Sequence, residues 1–243
     1  MILLFDAGNT RTKWRLMSES RIITETGVLM NKDLTANVLT EEFKGKGVDK
    51  IICSVVGGDE IEREIYEFGL NFQIEVRSVK SKKKIGRLTF VYEDYKKMGV
   101  DRAMAMLGAF EDEAVLVIDA GSAVTADYVD SGGHHLGGYI FPGYAMLRSV
   151  LLGKTAEIGN FDGFGNHQLG VSTETCVNNG FVVMYLGMLQ ELSKKAKGFE
   201  IEKIIVTGGD AIFLKTCAGV SMQIKENLVL DGLEKIAFKK GVI

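Results

Sequence analysis

Two stretches, LLFDAGNTRTKWRLM at residues 3–17 and LVIDAGSAVTADYVD at residues 116–130, repeat one layout 113 positions apart. Each is a short apolar run, then Asp-Ala-Gly and a small hydroxyl or amide residue, then a second run that reads as a strand. Met1–Phe5 are wholly apolar, as a central buried strand should be. Asp6 follows at the C-terminal end, where open α/β sheets place their ligands. Ala7 and Gly8 turn the chain, and a glycine there lets backbone N–H groups approach a ligand closely. Asn9 and Thr10 add side-chain donors, Arg11 and Lys13 add positive charge, and Thr12 opens the returning strand. A carboxylate beside clustered donors suits a phosphate whose Mg²⁺ is held by that carboxylate through water. One copy could be a plain turn, since Asp, Asn and Gly dominate turns. The second copy, Asp119-Ala120-Gly121-Ser122, shifts the balance: two such hairpins can grip a nucleotide from both sides, in a cleft between similar halves.

The 243 residues are those of an ordinary globular chain: 46% apolar, 25% charged, net charge −3. That balance asks for neither nucleic acid nor a membrane surface, and no apolar run approaches the ~20 residues of a membrane span. Cys53, Cys176 and Cys217 are widely separated, which fits reduced, buried thiols and a cytoplasmic setting. Apolar, β-branched strand candidates alternate with helical stretches, which predicts an α/β fold. Helices are expected at 59–68, 102–112, 143–152, 173–196, 209–217 and 231–239. The repeat divides the chain into halves of 1–115 and 116–243. KSKKKIGR at 80–87 reads as a solvated loop, because no aromatic residues interleave the charges as a nucleic-acid surface would require. His134 and His135 follow two glycines and read as an exposed turn. The glycine-rich stretch 159–170 is the candidate moving segment.

The paired hairpins resemble the acetate and sugar kinase/Hsp70/actin superfamily. DAGNT at 6–10 and DAGSAVT at 119–125 are similar to the type III pantothenate kinases. GVDR at 99–102, GGYIFPG at 137–143 and VTGGDA at 206–211 extend the likeness in the same order. The resemblance implies duplicated actin-like (ribonuclease H-like) subdomains, mixed sheets flanked by helices, with ATP in the cleft between them. It implies the ATP- and Mg²⁺-dependent phosphorylation of pantothenate to 4′-phosphopantothenate, the first step toward coenzyme A. It also implies a homodimer and a monovalent cation, K⁺ or NH₄⁺, at Asp119, with Asp6 through Lys13 and the Ser122 hydroxyl offered to ATP.

On the acceptor side, Asp101 is the candidate base. Gly99 and Val100 precede it and permit close ligand approach. Arg102 puts a permanent cation beside the carboxylate, which favours its ionised form. Asp101 could also cap the helix expected to start at 102. The family likeness gives Asp101 the proton of the pantothenate hydroxyl and makes Tyr92 and Thr173 substrate contacts. Asp94 and Tyr95 stand where the family has Asn and Pro. Two other functions share these residues: a non-catalytic regulatory relative like the Bvg accessory factor, or a kinase of another small alcohol.

Overall fold

Ile2–Ala7 (β1), Arg11–Met17 (β2) and Ile23–Met30 (β3) form an antiparallel meander at the start of the chain. The computed structural model describes residues 1–154, 165–217 and 219–238. Ala36–Phe43 (α1) then leads to Lys50–Val55 (β4), which pairs parallel to β1. Asp59–Asn71 (α2) crosses to Glu75–Ser78 (β5), parallel to β4. The sheet order is therefore β3-β2-β1-β4-β5. A small hairpin, Lys84–Ile85 (β6) with Leu88–Thr89 (β7), precedes the helix Val100–Ala109 (α3).

The second part repeats that plan. Val115–Ala120 (β8), Ala123–Val129 (β9) and His135–Pro142 (β10) make the meander. Tyr144–Lys154 (α4) and Thr173–Gly198 (α5) follow, then Lys203–Thr207 (β11), Ala211–Cys217 (α6) and Gln223–Ile224 (β12). The order β10-β9-β8-β11-β12 matches the first sheet strand for strand. The chain ends its described part in Leu228–Ala237 (α7). This is the mixed-sheet, helix-flanked α/β architecture that the family resemblance implies.

Each unit has its own core. Leu3, Phe5, Trp14, Phe43 and Phe68 fill the first, and Trp14 meets Phe43 edge-on at 4.9 Å between ring centroids. Trp14 also explains Gly27, its partner across β2 and β3: a β-carbon there would lie 2.5 Å from the indole. Tyr128, Tyr144, Tyr185 and Phe213 centre the second core.

Contacts group Met1–Ala109 with the residues from Asn227 onward, and Phe110–Glu226 as the other unit. The repeat alone divides the chain at 115/116 and sends the C-terminal helix with the second half. The structure returns α7 to the first unit for identifiable reasons. Arg15, buried on β2, binds Asp231 and Glu234 of α7 at 2.8 Å each. Lys235 of α7 donates to the carbonyls of Leu107 and Gly108 at the end of α3, where the helix has no further N–H to offer them. Gly108 and Gly232 let the two helices approach backbone to backbone.

Three further expectations change. Cys176 is exposed, because the first turn of α5 faces outward and burial begins only around Asn178. His135 is fully buried at the start of β10 with its Nε2 3.0 Å from Asp127, while His134 remains exposed beside Asp130. The helix expected at 102–112 begins at Val100. Of the stretch 159–170, residues 159–164 lie outside the described residues, as does residue 239 of the expected last helix. Among the described residues no helix is long and apolar enough to cross a membrane.

Candidate active site

The first hairpin places Asp6 half-buried at the end of β1, directly across from Lys13 on β2 and beside Ser54 on β4. Gly8 N–H donates to the Arg11 carbonyl at 3.1 Å, which closes the turn and leaves Asn9, Thr10 and Arg11 exposed. Ala7 is buried, and its carbonyl accepts from Val56 N–H (2.9 Å) and Gly57 N–H (3.1 Å). Thr12 is also buried, and its hydroxyl donates to Asn31 Oδ1 at 2.8 Å. The other end of that amide, Asn31 Nδ2, donates to the Gly8 carbonyl at 2.6 Å. Asn31 therefore buttresses the turn from behind, a role that nothing in its local sequence signals. Lys13 Nζ reaches Asn227 Oδ1 at 3.1 Å.

The second hairpin is built on the same plan with one residue less. Asp119 sits across from Thr125 and beside Thr207, and Gly121 N–H donates to the Ala123 carbonyl at 3.0 Å. Ser122 is exposed, and its carbonyl accepts from Gly143 N–H at 3.1 Å. Asp210 N–H donates to the Ala120 carbonyl at 3.0 Å.

The loops that brace the two hairpins carry a second repeat. Val-x-Gly-Gly-Asp occurs at 55–59 across the end of β4 and at 206–210 across the end of β11, each strand being the parallel neighbour of a hairpin's first strand. Each copy holds one glycine in a region that disfavours other residues, though at different positions: Gly58, the second of its pair, at φ +104° and Gly208, the first of its pair, at +95°. The repeat is visible in the sequence as VVGGD and VTGGD, 151 positions apart.

The acceptor residues gather at the start of α3. Asp101 lies in the first turn of the helix, with Oδ1 accepting the Arg102 N–H at 2.8 Å, so it is not the N-cap. A carboxylate in a helix first turn is favoured in its charged form by the helix dipole. Arg102 is 5% exposed and its Nη1 donates to the Tyr92 hydroxyl at 2.8 Å. Gly99 holds Asp101 close behind it, where a side chain on residue 99 would collide with the carboxylate. Tyr92, Gly99, Val100, Asp101 and Arg102 are thus brought together within the first unit.

Thr173 lies in the second unit at the first position of α5 and is exposed. The cap is Ser172, whose Oγ accepts Thr175 N–H in a capping box, so the Thr173 side chain is not used there. Asn179 accepts from Asn166 N–H and donates to the Gln168 carbonyl at 2.8 Å each, which fixes the segment before Thr173 onto the helix.

Burial pushes the Cys53 thiol up to about 12 and the Cys217 thiol up to about 11. Neither is a thiolate nucleophile at neutral pH. Among the described residues no three His, Cys, Asp or Glu side chains converge as a metal cage. Single carboxylates with turn donors are instead the arrangement that holds Mg²⁺ through water and substrate phosphates.

Comparison with known proteins converges on one family. The model of the type III pantothenate kinases matches residues 2–195. A type III pantothenate kinase of Marinobacter nauticus is 37% identical, covering 98% of this chain and 98% of its own. That of Alcanivorax borkumensis is 33% identical, covering 99% and 100%. Among solved structures, a chain from Campylobacter jejuni assigned to the Baf family of transcriptional activators superposes with a TM-score of 0.64 at 21% identity, covering 96% of each chain. The activator of 2-hydroxyisocaproyl-CoA dehydratase from Clostridium difficile, solved with ADPNP, has a TM-score of 0.52 at 11% identity, covering 96% of this chain and 91% of its own. These two establish the fold alone. With a family model over residues 2–195 and relatives above 30% identity along nearly its whole length, the chain belongs to the type III pantothenate kinases.

Proposed function

We propose that the chain transfers the γ-phosphoryl group of ATP to the primary hydroxyl of pantothenate, yielding 4′-phosphopantothenate and ADP. The observation that carries this reading is the cluster at the start of α3, Asp101 with Arg102 and Tyr92, in a chain of this family. Asp101 takes the hydroxyl proton as the oxygen attacks phosphorus. Arg102 anchors the carboxylate through its backbone N–H to Asp101 Oδ1 and, through its Nη1 bond to the Tyr92 hydroxyl, holds the substrate wall in place. Gly99 and Val100 admit the acceptor next to Asp101.

ATP with Mg²⁺ supplies the phosphoryl group. Asp6 holds the hydrated ion, and the Gly8–Arg11 turn and Lys13 meet the phosphate charge. Ser122 offers its hydroxyl to ATP, and Asp119 takes K⁺ or NH₄⁺. Thr173 contacts pantothenate. The enzyme acts in the cytoplasm as a homodimer. Exposed Tyr139 and Ile140 of β10, Met146 and Val150 of α4, and Val183 and Met184 of α5 support that assembly, because such apolar surface favours a partner. A light-scattering mass of one chain would exclude it.

The direct test is Asp101→Asn, assayed by ADP release with ATP, Mg²⁺ and pantothenate. Loss of a positioned base costs on the order of 10²–10⁴ in rate. We expect kcat to fall by about 10³ with ATP binding intact. Undiminished turnover would remove Asp101 as the base, and no pantothenate-dependent turnover in the parent protein would remove the reaction.

A further inference from the structure

The lysine run 80–84 plays no part in the reading above, yet it does not merely extend into solvent. Lys80, Ser81 and Lys82 line a cavity of about 660 Å³ together with Lys96 and Lys97, Val55 and Val56 at the end of β4, Tyr95, and Met98 through Val100. Four lysines line it and no carboxylate does. Lys80 is paired with Glu62 at 2.6 Å, and Lys97 lies 4.0 Å from Asp94. Among the described residues Lys82 and Lys96 have no carboxylate partner.

Local structure holds the two basic segments against each other. Ser81 Oγ donates to the Met98 carbonyl at 2.8 Å, which ties the lysine run to the residue before Gly99. Asp94 Oδ1 accepts Lys96 N–H at 3.1 Å and opens the short 3₁₀ turn Tyr95–Lys97 that carries the other two lysines. All four lysines are exposed, so water screens their mutual repulsion, and together they give the cavity mouth a positive potential that an anion would meet. The start of α3, at Val100, closes one end of the cavity, where Asp101 Oδ1 takes the Arg102 N–H. Val55, Val56, Tyr95 and Met98 give the same cavity an apolar side.

We propose that this cavity binds the phosphate group of a small molecule, at a site adjoining the acceptor position and sharing Gly99 and Val100 with it. Lysine ammonium groups receive the anion as point charges, and the apolar side takes whatever carbon body it carries. The assignment uses the geometry of the first unit alone and holds whether or not pantothenate is the acceptor.

The test is titration of the ¹⁵N-labelled full chain with inorganic phosphate, with sodium chloride of matched ionic strength as control, followed through amide shifts. Saturable shifts at Ser81, Lys82 and Tyr95–Val100 are expected, persisting in Thr10→Ala and weakened at least tenfold in Lys82→Gln/Lys96→Gln. Both lysines are exposed, so the double variant should fold. Parallel titrations with pyrophosphate and with glycerol 2-phosphate separate the two sources of such a group, polyphosphate and phosphomonoester, by which saturates first. Non-saturating shifts, equal shifts with chloride, shifts confined to the two hairpin turns, or an unchanged affinity in the double variant would each overturn the proposal.

Discussion

The two five-stranded sheets share one strand order, yet the hairpins at their centres differ at the position that sets their chemistry. Across from Asp6 stands Lys13, and the turn between them is three residues long, Gly8 to Thr10. Across from Asp119 stands Thr125, and the turn is two residues, Gly121 and Ser122. Directly opposed residues in an antiparallel pair have neighbouring side chains. The first hairpin therefore puts a lysine at the strand position opposite its carboxylate, with the Lys13 ammonium on Asn227 Oδ1, and exposes the donors of its turn, which suits a phosphate. The second sets its carboxylate opposite a neutral hydroxyl. A duplicated scaffold has thus diverged into two charge environments.

Removing each carboxylate in turn tests that contrast most strongly. Asp6→Asn should lower kcat/KM by about 10³, since charge stabilisation by a placed ion or donor is worth roughly 3–4 kcal/mol. Asp119→Asn should instead abolish the advantage of potassium over sodium, with a smaller loss in potassium and little in sodium. Steady-state rates in the two salts, on proteins with matching circular dichroism, provide the check. Equal losses, independent of the salt, would erase the distinction between the hairpins.

The units also differ in how charge pins their ends. In the first, Arg15, with 7% of its side chain exposed, is held between Asp231 and Glu234 of α7. In the second, Glu111 lies between Lys203 and Lys225 at 3.0 Å each, with 53% of its side chain in water. Breaking a buried ion pair strands charge away from solvent, whereas exposed pairs contribute little. Arg15→Ala should cost about 2–3 kcal/mol, less than a fully buried pair because both acids are partly solvated. Urea denaturation followed by fluorescence reads this cleanly, because the only tryptophan, Trp14, lies in the first core. A loss below about 0.5 kcal/mol would mean that α7 is held by packing alone.

The duplicated hairpins were legible because their signal is local: an apolar strand, a turn of fixed composition and a returning strand lie within fifteen residues. Asp101, Arg102 and Tyr92 were legible for the same reason, lying within eleven. What the sequence did not disclose depends on contacts far apart in the chain. Asn31 bracing Gly8, Arg15 reaching α7, and Lys235 satisfying the end of α3 have no signature in their own neighbourhoods. Helix α1 was overlooked because it spans only Ala36–Phe43 and buries just Ala36, Leu39 and Phe43. His135 shows the opposite error: the two glycines before it suggest a turn, while the alternation of β10 turns it inward onto Asp127.

The smallest effect belongs to the second charge cluster, and its pH dependence has a definite sign. Hydrogen bonds from Lys225 and then Lys203 hold the Glu111 carboxyl down to about 2, below its ordinary 4.5. A carboxyl whose value is lower in the folded state contributes stability that is complete above 4.5 and fades as pH falls toward 2. Because half of Glu111 remains in water, screening reduces that contribution to a few tenths of a kcal/mol. Glu111→Gln should therefore unfold slightly more easily at pH 7, and the gap from the parent should close between pH 4.5 and pH 2. Thermal melts by far-UV circular dichroism in low salt, repeated in 1 M NaCl where the gap should also shrink, measure it. A gap that widens on acidification would show that Glu111 is held by something other than its lysines. A gap above about 1 kcal/mol would mean that water screens this cluster far less than its exposure implies, and the buried and exposed triads would then be equals.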